Sequence, residues 1–222
     1  MKQNLKHSEN MKKLCILAML SALAFVVMAV GRIPVVLFLK YDPKDVVITI
    51  GGFLFGPLAA FAVTVVVSFV EMVTVSDNGL IGLLMNIIAG CSFACTASFI
   101  YKKKRNLKGA VIGLVAACLF TTAVMLLWNF IITPLYMHVP REKVVELLVP
   151  AFLPFNLLKG GLNAALTMLL YKPVKAALQA SRLLPPLEEP GDKRKISLGV
   201  IIVSLVVLAT CVLLVLVMQG KL

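Results

Sequence analysis

Three polar side chains interrupt an apolar stretch in the C-terminal third of the chain. Residues 149–171 are long enough to cross a bilayer as a helix at ~1.5 Å per residue, and they contain Asn156, Lys159 and Asn163. A helix places these three residues, at i, i+3 and i+7, on one face. Because a cation and two amides are costly in lipid, this face must meet a partner helix, a cavity or a ligand. Helix packing and ligand binding both remain open from this stretch alone.

Two further amides and a carboxylate lie in other apolar segments. Asn86 is predicted to point either into a site or at a backbone carbonyl. Asn129, which follows Trp128, lies at a height where it can meet the polar face of residues 149–171. Glu71 falls near the outer end of its segment, so we interpret it as an interfacial carboxylate.

The sequence lacks the motifs that an enzyme or a self-driven pump would need. It contains no GxxxxGK[ST] or HExxH motif, no Ser/His/Asp or Cys/His grouping, and no evident membrane-buried carboxylate pair. The spacings of its five cysteines match neither a zinc site nor a disulfide framework, which predicts packing roles and no metal. We therefore expect a protein that is not an enzyme and that has one polar site open to the outside.

The composition is that of a polytopic membrane protein. Of 222 residues, 60% are hydrophobic and 14% are charged, and the mean hydropathy is +0.99. The formal net charge of +12 comes from Lys and Arg clusters beside the apolar segments, as the positive-inside rule expects. The composition therefore predicts contact with lipid and not with nucleic acid.

Seven apolar segments predict an all-α fold, a compact six-helix bundle followed by a seventh transmembrane helix. The segments are 14–30, 45–55, 57–74, 80–101, 109–135, 149–171 and 196–218. Gly56-Pro57 separates the second segment from the third, and Pro173 is expected to end the sixth. The predicted organisation is a basic N-terminus (1–13), a membrane domain (14–175), a cytoplasmic linker (176–195) and the additional helix (196–218).

Basic residues predict the orientation of the chain. Fifteen of the 22 Lys and Arg residues fall in 1–13, 102–108 and 172–195, whereas six fall on the other side of the predicted membrane. The N-terminus is therefore expected in the cytoplasm, with residues 31–45 outside. This loop has an apolar centre between charged ends, which suits a flap over the protein; a short edge strand without a function is an equal alternative.

Four short motifs resemble those of the substrate-binding (S) components of energy-coupling factor (ECF) vitamin transporters, most closely the riboflavin S component. They are Leu39-Lys40-Tyr41-Asp42-Pro43-Lys44-Asp45, Trp128-Asn129, Asn156-x-x-Lys159 and Ala18-xxx-Ala22. The resemblance covers roughly residues 10–175. It implies a multi-pass protein of a bacterial plasma membrane, in which six helices enclose the vitamin near the outer face under the first loop.

The resemblance also implies roles for individual residues. Asn129, Asn156 and Lys159 would hydrogen-bond the flavin. The further substrate-binding candidates are Leu39, Tyr41, Asn86 and Asn163, whereas Ala18 and Ala22 would dock on a transmembrane coupling subunit that works with two ATPases. No cofactor is implied, since riboflavin would be the transported ligand, and the seventh helix departs from the family pattern.

Three alternatives stay open at this point. The chain could be an S component for FMN or another vitamin, a membrane scaffold in which the Asn/Lys face packs between helices, or a carrier that needs no partner. The residues alone do not separate the first alternative from a riboflavin S component.

Overall fold

The computed structural model describes residues 2–36, 39–75, 78–137, 139–181, 183 and 198–218. Most of the predicted linker at 176–195 lies outside these residues. The described chain forms seven helices and one β-hairpin: α1 (Lys2–Gly31), β1 (Ile33–Val36), β2 (Leu39–Tyr41), α2 (Lys44–Phe55), α3 (Pro57–Thr74), α4 (Gly79–Lys103), α5 (Leu107–Met137), α6 (Arg141–Ala180) and α7 (Leu198–Met218). The predicted all-α bundle with a seventh helix is confirmed.

Six of the described helices are long and apolar enough to cross a membrane, namely all except α2. With 12 residues α2 is shorter than a usual span, and it is buried along nearly its whole length. Its apolar sequence therefore belongs to the interior of the bundle, where neighbouring helices and not lipid surround it.

Helix α6 is longer at both ends than its apolar run predicts. It starts at Arg141, directly after Pro140, and it continues through Pro173 to Ala180. A proline inside a membrane helix removes one backbone hydrogen bond, and packing of the flanking Tyr171 and Lys175, both buried, offsets this loss. The predicted start of this helix at residue 149 and its predicted end at Pro173 are therefore wrong.

Two of the long helices contain a π-helical turn. The turn in α4 spans Cys91–Cys95, and the turn in α6 spans Leu148–Phe152 and includes Pro150. Such turns widen the helix locally, and they often occur near functional sites. Both turns lie in helices that form the wall of the cavity described below.

Helix α1 packs on α2 and α3 through one narrow face. Ile16, Leu20, Ala24 and Met28, spaced four residues apart, are all buried on that face. At 100° per residue, Ala18 and Ala22 lie on the opposite face, and both are exposed. The pair does not pack against another helix of the described chain.

The two ends of the bundle differ in charge and in closure. The turn at Gly56, with φ of +95°, lies beside Lys102, because a Cβ on Gly56 would be 3.9 Å from Lys102 Cδ. Lys13 lies 6.0 Å from the centroid of the Phe55 ring. The start of α1, the α2–α3 turn and the end of α4 thus share one end, here called the basic end, and the hairpin lies at the other.

Aromatic side chains close the bundle toward the basic end. The Phe53 ring stacks on Tyr101 with centroids 4.3 Å apart, and the hydroxyls of Tyr101 and Tyr171 are 3.0 Å apart. These contacts join α2, α4 and α6 in one apolar cluster. This cluster fills the space between the three helices.

The additional helix α7 packs against α6 and the hairpin. Leu208, Cys211 and Val215 contact a cluster that contains Val35 and Tyr41 of the hairpin and Leu158 and Leu162 of α6. The helices approach closely at Gly161, where a Cβ would lie 3.2 Å from Cys211 Sγ. Helix α7 thus holds the hairpin against α6 from outside the six-helix bundle.

Candidate binding site

A cavity of about 300 Å³ opens among the helices at the hairpin end. This volume is at the lower limit of pockets that hold drug-sized ligands, ~300–1,000 Å³. Its lining is supplied by the hairpin and α2 to α6: Arg32, Leu39, Lys40, Asp42, Asp45, Glu71, Val75, Asn78, Ile81, Gly82, Met85, Asn86, Ala89, Phe93, Thr121, Met125, Trp128, Asn129, Ile132, Thr133, Phe155, Asn156, Lys159, Gly160 and Asn163.

The structure brings six of the seven predicted substrate-binding residues together in this wall: Leu39, Asn86, Asn129, Asn156, Lys159 and Asn163. Tyr41 lies behind the wall. Its ring packs in the cluster with α7, and its hydroxyl donates to Asn163 Oδ1 at 3.1 Å. Burial, together with Asp45 and Asp42, raises the pKa of Tyr41, so its hydroxyl remains a donor. In this arrangement Tyr41 orients Asn163.

The two amides from the middle of the bundle make local hydrogen bonds. Asn129 Nδ2 donates to the Met125 carbonyl at 2.8 Å, and its Oδ1 accepts from Thr133 Oγ1 at 2.9 Å. Asn156 Nδ2 donates to the Phe152 carbonyl at 2.8 Å, beside the π-helical turn of α6. An amide side chain has two donor hydrogens and one acceptor oxygen, so Asn129 and Asn156 can each make further hydrogen bonds to a ligand in the cavity.

Lys159 has carboxylate partners. Its Nζ lies 3.6 Å from Asp45 Oδ2 and 3.8 Å from Asp42 Oδ2. Both aspartates are buried, with relative exposures of 5% for Asp42 and 2% for Asp45. The expectation that the chain lacks a buried carboxylate pair is therefore wrong. It fails because the hairpin brings Asp42 and the first turn of α2 into the interior.

A second group of charges adjoins the first. Glu71 of α3 makes close ion pairs with both Arg32 and Lys44, and Lys44 Nζ is 3.9 Å from Asp42 Oδ1. Glu71 is 3% exposed and lines the cavity, so the prediction of an interfacial carboxylate is wrong. Burial of such charges is tolerated only where they are paired.

The combined network balances its charges. It contains Arg32, Lys44 and Lys159 against Asp42, Asp45 and Glu71. Burial alone would raise the pKa of Asp42, but Lys159, Lys44 and Arg32 outweigh it and hold that pKa below its usual range. Each of the three cations has a carboxylate partner, whereas Asp42 Oδ1 and Asp45 Oδ1 lack a hydrogen-bond partner among the described residues.

Small residues form the floor of the cavity. A Cβ on Gly160 would lie 2.4 Å from Cys118 Sγ, so α5 and α6 touch there. A Cβ on Gly90 would lie 2.8 Å from Thr64 Cγ2, which brings α4 against α3 just before the π-helical turn. Phe93, in that turn, is 1% exposed and lines the floor. Helix contacts at small residues thus separate the cavity from the basic end.

Sequence comparison places this arrangement among known proteins. Residues 12–171 match the family described as ECF transporter, substrate-specific component. The chain belongs to this family. The predicted resemblance to S components is thereby confirmed, and the protein is a transporter subunit and not an enzyme.

Individual relatives of this S component agree with the family match. A riboflavin transporter, RibU, of Staphylococcus aureus (strain TCH60) is 32% identical over 170 residues, which cover 72% of this chain and 89% of the relative. A riboflavin transporter, FmnP, of Bacillus subtilis (strain 168) is 30% identical over 184 residues, 77% of this chain and 96% of the relative.

A solved S component of a bacterial ECF transporter has the same fold. It aligns with a TM-score of 0.65 and 32% identity, and the alignment covers 77% of this chain and 99% of that chain. Helix α7 lies beyond the residues that match the family. The six-helix bundle is therefore the shared part of this S component, and α7 is an addition to it.

Proposed function

We propose that this S component binds riboflavin and supplies it to an ECF-type importer. The observation that carries the proposal is the cavity itself, in which Lys159, two amides and an aromatic wall converge at one end of the bundle. Relatives named as riboflavin transporters, at 29–32% identity over most of their length, support the same ligand.

The chemistry of the wall suits a flavin. Riboflavin combines a planar ring with polar edges and a chain of hydroxyl groups. Leu39, Trp128 and Phe155 offer apolar surface for the ring, and Lys159 and the amides offer hydrogen bonds for its polar atoms. Lys159 would make the largest single polar contribution, because hydrogen bonds from a charged donor are the strong ones.

The hairpin would act as the cover of this site. Leu39, Lys40 and Asp42 of the hairpin region line the cavity, so any ligand inside lies beneath them. Riboflavin would then enter from the hairpin end, which positive-inside counting places outside the cell, with the N-terminus in the cytoplasm.

Ala18 and Ala22 would form the docking surface for the coupling subunit. Both are exposed on the face of α1 opposite to its buried seam, and small residues one turn apart permit close helix approach in a membrane. Since the chain contains no phosphate-binding loop, the energy would come from two partner ATPases.

Ligand-dependent thermal stability of the purified full-length chain tests the proposed ligand. A ligand that binds only the folded state must raise the unfolding temperature, more so at higher concentration. We expect riboflavin to do so at lower concentration than FMN, thiamine or biotin. Stabilisation by thiamine or biotin and not by flavins would assign a different vitamin, and no stabilisation by any of them would favour the scaffold.

A further inference from the structure

The additional helix α7 packs on the rest of the protein through one narrow stripe. Ser204 and Cys211 are the buried residues of its described part, and Leu208 and Val215 beside them are half-buried. Spacings of four, three and four residues place these four side chains on one side of the helix. We call them the α7 stripe.

The α7 stripe contacts the hairpin as well as α6. Leu208, Cys211 and Val215 pack in one cluster with Val35 of β1 and Tyr41 of β2, and the backbone of α7 approaches β1. Both hairpin residues are buried, at 3% and 6% exposure, and neither lines the cavity. The hairpin therefore meets α7 through these two side chains, whereas other hairpin residues cover the cavity.

Tyr41 connects this contact with the binding site. Its hydroxyl donates to Asn163 Oδ1 at 3.1 Å, and Asn163 Nδ2 donates to Asp45 Oδ2 at 3.4 Å. The same carboxylate oxygen lies 3.6 Å from Lys159 Nζ. Since Tyr41 both packs in the cluster with α7 and bonds Asn163, an opening of the hairpin that moves Tyr41 must break both contacts.

Helix α7 is an extra constraint on a hairpin that the bundle already holds. The family match ends at residue 171, before α7 begins, whereas the partners of Asp42 and Tyr41 in α6 belong to the bundle itself. None of the described residues of α7 lines the cavity. Contact with α7 therefore affects how readily the hairpin moves and leaves the surface that a ligand meets unchanged.

We propose that α7 is a strap that holds the hairpin against α6 and thereby slows both the entry and the release of the ligand. This inference rests on the proposed function, because riboflavin is the ligand whose rates would change. Since α7 contacts the hairpin and not the cavity, it stabilises the closed hairpin equally with and without ligand. Entry and release then slow by the same factor, and the affinity is unchanged, because only a difference between the two states shifts the binding equilibrium.

Leu208→Ala/Val215→Ala in the full-length chain tests the strap by cutting back the α7 stripe. The matched control is Val206→Ala/Leu213→Ala, which removes the same side-chain types from the opposite, exposed side of the same helix. Val35→Ala is the second test variant, because it shortens the hairpin side of the same contact.

Two measurements are made on each variant. Hydrogen exchange across residues 33–45 is followed without ligand, so it reports hairpin opening whether or not the protein binds riboflavin. Stopped-flow fluorescence then gives the association and release rates of riboflavin, and their ratio is compared with the Kd from titration.

We expect faster hydrogen exchange in the stripe variant than in the control. Riboflavin association and release should both become about tenfold faster, equivalent to ~1.4 kcal/mol less stabilisation of the closed hairpin, while Kd changes less than about twofold. Val35→Ala should act in the same direction. Its combination with the stripe variant should add little, because both changes remove one shared contact.

Equal exchange in the stripe and control variants would overturn the strap. Faster exchange with unchanged riboflavin rates would overturn it too, since opening of the hairpin would then not limit the ligand. A weaker affinity without faster association would show that α7 shapes the site, which also contradicts a strap. The proposed function fails separately, if the unmodified protein binds no riboflavin.

Discussion

At the scale of single residues, Lys159 is the centre of the account. It lies between two buried carboxylates and the cavity, so it can reach a ligand while its charge stays compensated. A lysine in such a position is oriented before the ligand arrives, which lowers the entropy cost of binding.

Lys159→Ala should lower riboflavin affinity by about 1 to 3 kcal/mol, the range for a lost charge-assisted hydrogen bond. Fluorescence titration of the purified protein measures this loss. Lys108→Ala, at the basic end, is the control and should bind as the unmodified protein does. Equal riboflavin affinity in the Lys159 and Lys108 variants would show that Lys159 does not contact the ligand.

Glu71→Gln should reduce the stability of the ligand-free protein. The change leaves Lys44 and Arg32 without their carboxylate, and removal of one partner from a buried pair costs about 3–5 kcal/mol. Because the Arg32 side chain is partly exposed to solvent, its unpaired charge contributes less to this loss of stability than that of Lys44. Thermal unfolding reports the effect, with the exposed Glu146→Gln as the control; indistinguishable unfolding of the two variants would contradict the network.

The polar residues of the site differ in how visible they are in the sequence. Asn129, Asn156, Lys159 and Asn163 stand out because each interrupts an apolar helix, where its position on the face follows from the helix period. Asp42 and Asp45 carry no such signal. They lie in a charged stretch after a loop, and only the folding of the hairpin onto the bundle buries them.

At the scale of elements, α1 has one buried face and one exposed face. One face packs into the bundle through Ile16, Leu20, Ala24 and Met28, and the other presents Ala18 and Ala22 outward. Since Ala18 and Ala22 are absent from the cavity lining, the proposed docking surface predicts variants that lose docking and keep ligand binding.

Replacing both Ala18 and Ala22 with Leu should leave riboflavin binding intact and abolish uptake in cells that contain the coupling module. The added bulk holds a partner helix away without touching the cavity. Flavin titration and uptake of labelled riboflavin are the paired measurements. Ala123→Leu, on an exposed face of α5, should preserve both. Uptake by the double variant at the level of the control would place the docking surface elsewhere.

The hairpin should become more protected when riboflavin binds. Leu39 and Lys40 line the cavity, so a bound ring would restrain the strand that carries them. Hydrogen exchange across residues 33–45, with and without riboflavin, measures the change, and Leu39→Ala should release the ligand faster. Equal exchange in the two states would identify the hairpin as a static connector.

Element boundaries were less predictable than element identity. The seven helices follow from apolar runs, and the turn at Gly56-Pro57 follows from its residue types. The ends of α6 do not, because Pro173 stays helical where neighbouring helices offset its lost hydrogen bond. The hairpin was expected only as a flap or an edge strand. Its second strand has three residues, which is too short for an alternating pattern to predict strand pairing.

At the scale of the whole molecule, the charge network lies in the cavity wall at the hairpin end, and an apolar cluster lies toward the basic end. The aromatic cluster of Phe53, Tyr101 and Tyr171 closes the bundle toward the basic end, while the cavity opens beside the hairpin. This arrangement is consistent with the proposed capture of riboflavin at the hairpin end.

The visible absorbance of the purified full-length protein tests this account most directly. A flavin held in the cavity absorbs in the visible, so the protein isolated after riboflavin addition and removal of free ligand should carry one flavin per chain. Lys159→Ala should retain less under the same wash. A folded protein that retains no flavin and shows no riboflavin binding in titration would contradict the account.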